Sequence, residues 1–96
     1  MRNKSNIDFE NIKRMSEIAE VYEITGQSEK SEKYHKSIVK ICDSYPKSEK
    51  MLTCKINSLN YLKKTYKSLE TTNELLNLNP NNLAALFNLA EHIIGD

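Results

Sequence analysis

Apolar residues recur along this chain at spacings of three and four, which is the period of amphipathic helices. Alternating β-branched residues, the signature of strands, are almost absent, and the few glycines and prolines fall between the apolar stripes. The pattern therefore predicts an all-α protein of five helices stacked as antiparallel hairpins. The five stripes are Ile12, Met15, Ile18, Ala19 and Tyr22; Tyr34, Ile38, Ile41, Cys42 and Tyr45; Leu52, Ile56, Leu59 and Leu62; Leu69, Leu75, Leu76 and Leu78; and Leu83, Leu86, Leu89, Ala90 and Ile93.

Turn and capping residues place the ends of the predicted helices. Ser28, Ser48 and Asn82 are suited to cap the second, third and fifth helices, because their side-chain oxygens accept hydrogen bonds from exposed amides. Gly26 provides a C-terminal stop, and a proline cannot continue a helix. No glycine ends the third helix, so its break is placed near Lys63 and Lys64. The first predicted helix begins at residue 6 or 7 and runs to 25, the second begins at 28 and ends before Pro46, and the third runs from 49 to near 63. The fourth begins at 65 and ends before Pro80, and the fifth begins at 83 and ends before Gly95.

A repeat of 34 residues runs through the second half of the chain. Pro46 and Pro80 are separated by this interval, and the same shift pairs apolar residues with apolar residues or alanine. The pairs are Ile41 with Leu75, Met51 with Ala85, Leu52 with Leu86, Ile56 with Ala90 and Leu59 with Ile93. Repetition at this period indicates one helix-turn-helix unit that is copied along the chain.

These residues resemble the tetratricopeptide repeat, whose pattern is W-x2-L-G-x2-Y, then A-x3-F, then P. Its first four places correspond to Met15, Ile18, Ala19 and Tyr22; to Leu52, Lys55, Ile56 and Leu59; and to Leu86, Leu89, Ala90 and Ile93. The resemblance implies one domain over 1–96, a right-handed superhelix of about two and a half repeats with units 12–46, 49–80 and a partial 83–96. Lys55 in an apolar place and Ile56 in a small place depart from the pattern and suggest wider spacing there.

The charge balance gives no reason to expect an anionic partner. Lysine and arginine number 14 against 13 acidic residues, so the net charge of +1 supplies no field to attract nucleic acid or an anionic membrane. The first eleven residues lack the apolar segment of a signal peptide, and the two cysteines have no CxxC spacing. A cytoplasmic protein with two free thiols is expected.

Candidate catalytic and metal-binding residues are few. His35 and Cys42 share a face of the second helix, but two ligands do not make a zinc site, so we interpret them as packed residues. His92, near the end of the last helix, is interpreted as a surface residue. Lys63, Lys64 and Lys67 are interpreted as a solvated helix face. The sequence thus predicts no enzyme, no metal and no cofactor.

The resemblance implies that a protein or peptide binds in the concave groove of the superhelix. Asparagine amides can pair with a peptide backbone, aromatic rings add contact area, and the glutamates favour a partner with basic residues. The chain is therefore predicted to be a non-catalytic interaction module or adaptor. The predicted groove residues are Glu17, Glu20, Glu23, Asn57, Asn60, Tyr61, Phe87, Asn88 and Glu91.

The last predicted helix carries more apolar residues than contact with one neighbour can cover. Phe87, Ile93 and Ile94 are predicted to mediate association, either as a homodimer or with another partner. This favours a self-associating structural subunit as the first alternative to the adaptor. A helical DNA-binding regulator is the second alternative.

Overall fold

The computed structural model describes residues 4–94, and it describes the side chains of residues 9–93. Five helices and no strands occur between residues 4 and 94, which confirms the all-α prediction. The helices are α1 (Lys4–Ile24), α2 (Ser28–Asp43), α3 (Glu49–Tyr61), α4 (Thr65–Leu78) and α5 (Leu83–Ile94).

Two of the three predicted caps are present. The Ser48 hydroxyl accepts a hydrogen bond from the Met51 amide at 3.2 Å, and the Asn82 side chain accepts one from the Ala85 amide at 2.9 Å. The cap predicted at Ser28 is wrong, because α2 already includes this residue and Gln27 precedes the helix without a side-chain cap. Thus α3 and α5 begin at true side-chain caps, whereas α2 begins directly after a tight turn.

Helices that follow each other in the chain pack antiparallel. Across α1 and α2, the rings of Tyr22 and Tyr34 near the turn lie 5.7 Å apart, while Ile12 and Cys42, far from it, share one apolar cluster. The other junctions have the same arrangement. In each, residues close to the intervening turn contact one another, and so do residues distant from it. The described chain is therefore a sequential stack of helix hairpins.

The third helix lies at the centre of the stack and supplies both of its apolar clusters. Met51 joins a cluster with α1 and α2, whereas the next residue, Leu52, points to α4 and α5. The first cluster contains Ile12, Ile38, Cys42 and Met51, and the second contains Leu52, Ile56, Leu75 and Ala85. Because α3 is covered on two sides, it carries more buried apolar residues than either terminal helix.

The last helix is rotated relative to the prediction. Leu83, Leu86 and Ile93 were expected to face the core, but they are exposed, as is Ala90. The residues of α5 that are buried, or half-buried, against the stack are Ala85, Asn88, Leu89 and His92. The predicted inward face is therefore wrong for four of its five members.

The difference follows from the number of neighbours that each helix has. The 34-residue shift relates the exposed Leu86, Ala90 and Ile93 to Leu52, Ile56 and Leu59, which are buried in α3. In α3 that face is covered by the helix that follows, α4. No described helix follows α5, so its equivalent face remains open.

The turn after α3 contains a lysine in a conformation that favours glycine. Lys63 has φ of 59°, close to the 79° of Gly26 after α1, and both turns close with the same backbone hydrogen bonds. A side chain in this left-handed region is strained. We expect Lys63→Gly to raise the free energy of unfolding by about 1 kcal/mol, measured by urea denaturation.

The neighbouring residue offers a matched control for that substitution. Lys64 has φ of −92°, so Lys64→Gly removes the same charge without relieving strain and should leave stability unchanged or lower it. Equal effects of the two substitutions would show that charge, rather than backbone conformation, determines the result.

Candidate partner-binding groove

A groove runs between α3 and α5 and encloses about 480 Å³. One wall comes from the exposed side of α3, and the other comes from the edge of α5 that faces it. Its lining residues are Thr53, Ile56, Asn57, Asn60, Leu83, Ala84, Phe87, Asn88 and Glu91. Five of the nine predicted groove residues meet here, namely Asn57, Asn60, Phe87, Asn88 and Glu91.

The α5 wall of this groove is apolar and open to solvent. Leu83, Ala84 and Phe87 are exposed, and the buried Ile56 lies at the floor. This wall is open because α5 turns its polar residues Asn88 and His92 toward the stack, which leaves its larger apolar residues outside. An exposed apolar wall of this kind gains free energy when a ligand removes it from water.

A hydrogen-bonded network of polar side chains borders the groove, and its members include Asn60, Ser68, Thr72 and Asn88. The Asn88 amide group donates to Thr72 at 2.8 Å and to Ser68 at 3.1 Å, and its oxygen accepts from the Asn60 amide group at 2.7 Å. The Ser68 hydroxyl donates to the Asn60 oxygen at 2.5 Å. The network thereby joins α3, α4 and α5, and it satisfies most of the hydrogen-bonding groups of the buried Asn88.

This network changes the role of two predicted groove residues. Asn60 and Asn88 were expected to bind a peptide backbone, but most of their amide groups are engaged within the protein. They position the two walls of the groove. Asn57 and Glu91 differ, because neither has a hydrogen bond or ion pair with any described residue, so both are available to a ligand.

Tyr61 and Glu23 line a second cavity, of about 590 Å³, at the C-terminal end of α3, and Asn60 borders both this cavity and the groove. The Tyr61 hydroxyl donates a hydrogen bond to the Glu23 carboxylate, and this bond raises the pKa of Tyr61. The Tyr61 ring also stacks on His35 at 4.1 Å between centroids. Glu23 is therefore exposed but hydrogen-bonded to Tyr61, and it does not line the groove between α3 and α5.

The remaining predicted residues lie elsewhere. Glu17 and Glu20 are exposed on α1 and line none of the described cavities. Of the residues predicted for association, Phe87 and Ile93 are exposed, whereas the side chain of Ile94 lies outside the described residues. The acidic residue that does line the groove is Glu91.

Sequence reasoning missed the part played by His92. It was interpreted as a surface residue, but it is half-buried, and its Nε2 lies 3.2 Å from the Asn60 oxygen. Since that oxygen accepts, Nε2 carries the proton in this pairing. The available signal was the spacing of Asn88 and His92, which places both on one helix face with Ala85.

His35, Cys42 and Cys54 are each buried or half-buried. His35 accepts or donates at 3.0 Å with the Ser58 hydroxyl, and burial lowers its pKa. Burial raises the pKa of the Cys42 thiol to about 12 and raises that of Cys54, so both stay protonated at neutral pH. Within residues 9–93, no group of three or more His, Cys, Asp and Glu residues is placed to hold a metal ion.

The lysines from the end of α3 to the start of α4 are divided between two cavities. Lys63 lines the cavity that contains Glu23 and Glu32. Lys64 and Lys67 line another, of about 340 Å³, whose other charged residues are Lys36, Asp43, Lys55 and Glu70. Lysines outnumber carboxylates in the second cavity, but a phosphate backbone would meet both signs of charge in either one.

No helix among the described residues is both long enough and apolar enough to cross a membrane. Comparison of the chain with protein-family models, with curated proteins and with solved structures finds no match.

Proposed function

We propose that this chain is a non-catalytic protein-interaction module, similar to a tetratricopeptide repeat, that binds a peptide segment in the groove between α3 and α5. The observation that supports it best is the composition of that groove. The exposed apolar wall with Leu83 and Phe87 ends at Glu91, one helical turn further along α5, and Asn57 of α3 lies across the groove. Neither Asn57 nor Glu91 pairs with another described residue. Protein-binding sites combine these elements, with an apolar anchor region and a few free polar groups.

The ligand that suits this groove carries an apolar side chain beside a basic one. Phe87 and Leu83 would pack against the apolar residue, and Asn57 would pair with a peptide N–H or C=O. Glu91 is the acidic residue that lines the groove, and it would attract a lysine or arginine. The acidic helix face proposed from Glu17 and Glu20 is not needed for this interaction.

Titration with two short capped peptides, one alternating leucine and lysine and the other leucine and glutamate, tests the proposal. We expect the leucine-lysine peptide to shift the NMR signals of the Asn57 side-chain amide and the Phe87 ring, and we expect no binding of the leucine-glutamate peptide. Glu91→Lys should weaken the first interaction by about tenfold and reduce its salt dependence.

Glu17→Lys is the matched control, because it makes the same change in net charge on an exposed residue outside the groove. The Glu17→Lys variant should bind the leucine-lysine peptide with the same affinity as the parent chain. Equal weakening by both substitutions would indicate attraction to net charge alone. Shifts confined to residues outside α3 and α5 would place the binding surface elsewhere and overturn the proposal.

A further inference from the structure

The outward face of α5 carries an apolar stripe that no described residue covers. Leu83, Leu86, Ala90 and Ile93 follow one another at intervals of three, four and three residues. This is the heptad spacing by which one helix packs along another. Leu83, Leu86 and Ile93 are 81%, 42% and 70% exposed, and Phe87 at the edge of the stripe is 67% exposed.

The matching face of α3 is covered by another helix. A shift of 34 residues places Leu86, Ala90 and Ile93 on Leu52, Ile56 and Leu59, which are buried in α3. Leu52 and Ile56 pack there with Leu75 of α4. The α5 stripe thus corresponds, 34 residues later in the chain, to the face of α3 that packs against α4.

The stripe is also symmetric along its own length. Leu83 and Ile93 each lie five residues from Asn88, and Leu86 and Ala90 each lie two residues from it. A second α5 running antiparallel across a two-fold axis would therefore place Leu83 opposite Ile93 and the large Leu86 opposite the small Ala90. Such self-complementarity is what a symmetric dimer interface requires.

Size and charge agree with this occupant. The exposed side chains form an apolar patch on the order of several hundred Å², which is the size of the largest patch on a typical monomer. Two copies would bury roughly 1,000 Å² in total, which is at the low end for specific interfaces. Apart from His92, which faces the stack, Glu91 is the ionisable residue of α5, and it lies on the groove side, away from the stripe.

We propose that two copies of this chain associate through an antiparallel pairing of their α5 helices along Leu83, Leu86, Ala90 and Ile93. The interface lies beside the peptide groove and is distinct from most of it. Leu83 contributes to both surfaces, whereas Leu86 and Ile93 line no described cavity.

Analytical ultracentrifugation of the full chain across the micromolar range tests the pairing. We expect a closed dimer with a dissociation constant in the micromolar range. Ile93→Lys should weaken it by at least about a hundredfold, because the ammonium would lose its water in an apolar interface. Peptide binding by the groove should survive this substitution, which separates failure of the dimer from failure of the proposed function.

A pair of opposite charges placed across the two-fold axis tests whether the two α5 helices run antiparallel. Leu83→Glu combined with Ile93→Lys would set each new glutamate against a lysine of the other copy. The double variant should therefore dimerise at least about tenfold more tightly than either single variant. A parallel pairing would set like charges together, and the double variant would then be no tighter.

Val21→Glu is the control, because Val21 is an exposed apolar residue at the opposite end of the stack, on α1. It should leave the dimer unchanged, and circular dichroism should show equal helix content in all variants. A parent chain that stays monomeric at about 100 μM would overturn the inference. So would a dimer that Ile93→Lys leaves intact, or species larger than a dimer that Val21→Glu abolishes.

Discussion

Leu75→Ala is expected to lower the free energy of unfolding by about 2 to 5 kcal/mol, the largest loss for any single substitution considered. Leu75 of α4 is fully buried, and it packs with Leu52 and Ile56 of α3 and with Ala85 of α5. Removal of its side chain would leave a cavity shared by three helices. A domain of this size has roughly 5 to 15 kcal/mol of stability in total, so the loss should be plain in urea or thermal denaturation.

Leu78→Ala makes the same chemical change one helical turn further along α4. Leu78 is exposed over about half of its surface, so its removal should cost less than about 1 kcal/mol. Similar losses at the two positions would mean that α4 does not present Leu75 to the core. The cluster described for α3, α4 and α5 would then be incorrect.

Ala85→Phe is expected to lower stability by about 1 to 3 kcal/mol through overpacking. Ala85 is fully buried, and it joins α5 to the apolar cluster that contains Leu75 of α4. A phenyl ring there would push α5 away from the stack and disturb the hydrogen bonds of Asn88. Thermal denaturation followed by circular dichroism measures the effect.

Ala90→Phe tests which face of α5 packs against the stack, the face with Ala85 or the face with Ala90 that the repeat predicted. The repeat placed Ala90 in the core, whereas the structure leaves it exposed, so Ala90→Phe should change stability by no more than about 0.5 kcal/mol. Both variants are best compared at submicromolar concentration, where self-association contributes nothing to stability. A large loss at Ala90 with none at Ala85 would restore the predicted register.

The helices themselves were predictable because their signals are local. Ser48 and Asn82 cap the helices that their sequence positions indicated, and the break after Tyr61 lies where Lys63 and Lys64 were expected. The inner faces of α2 and α3 also agree, since Ile38, Cys42, Leu52, Ile56 and Leu59 are all buried. Capping and periodicity depend on neighbouring residues only, and the sequence contains those in full.

The face of α5 was not predictable in the same way, because burial depends on how many neighbours a helix has. Periodicity identified its apolar residues correctly but assigned them to contact with α4. The contact with α4 is instead made by Ala85 and Asn88, while His92 pairs with Asn60 of α3. A buried asparagine is not recognisable from apolar spacing. The groove was therefore predicted with most of its residues, but Asn60 and Asn88 have another role in it.

Lys55 illustrates a residue that departs from the repeat yet fits the structure. It occupies a place that the repeat reserves for an apolar side chain, and it is half-buried there. Its ammonium pairs with the Asp43 carboxylate of α2 at 2.6 Å. The aliphatic part of a lysine can cover apolar surface while its ammonium reaches a partner, so Lys55 packs in this place although it is charged.

The serial packing of the helices makes this chain energetically close to one-dimensional. Each helix depends mainly on the one before and the one after it, so stability approaches a sum of terms for adjacent pairs. A perturbation of α5 would reach α1 through α3, which contacts α5 through Asn60 and α1 through Met51. Ligand capture near α5 can therefore order that end of the molecule, and α3 is the helix that would transmit the effect to the first hairpin.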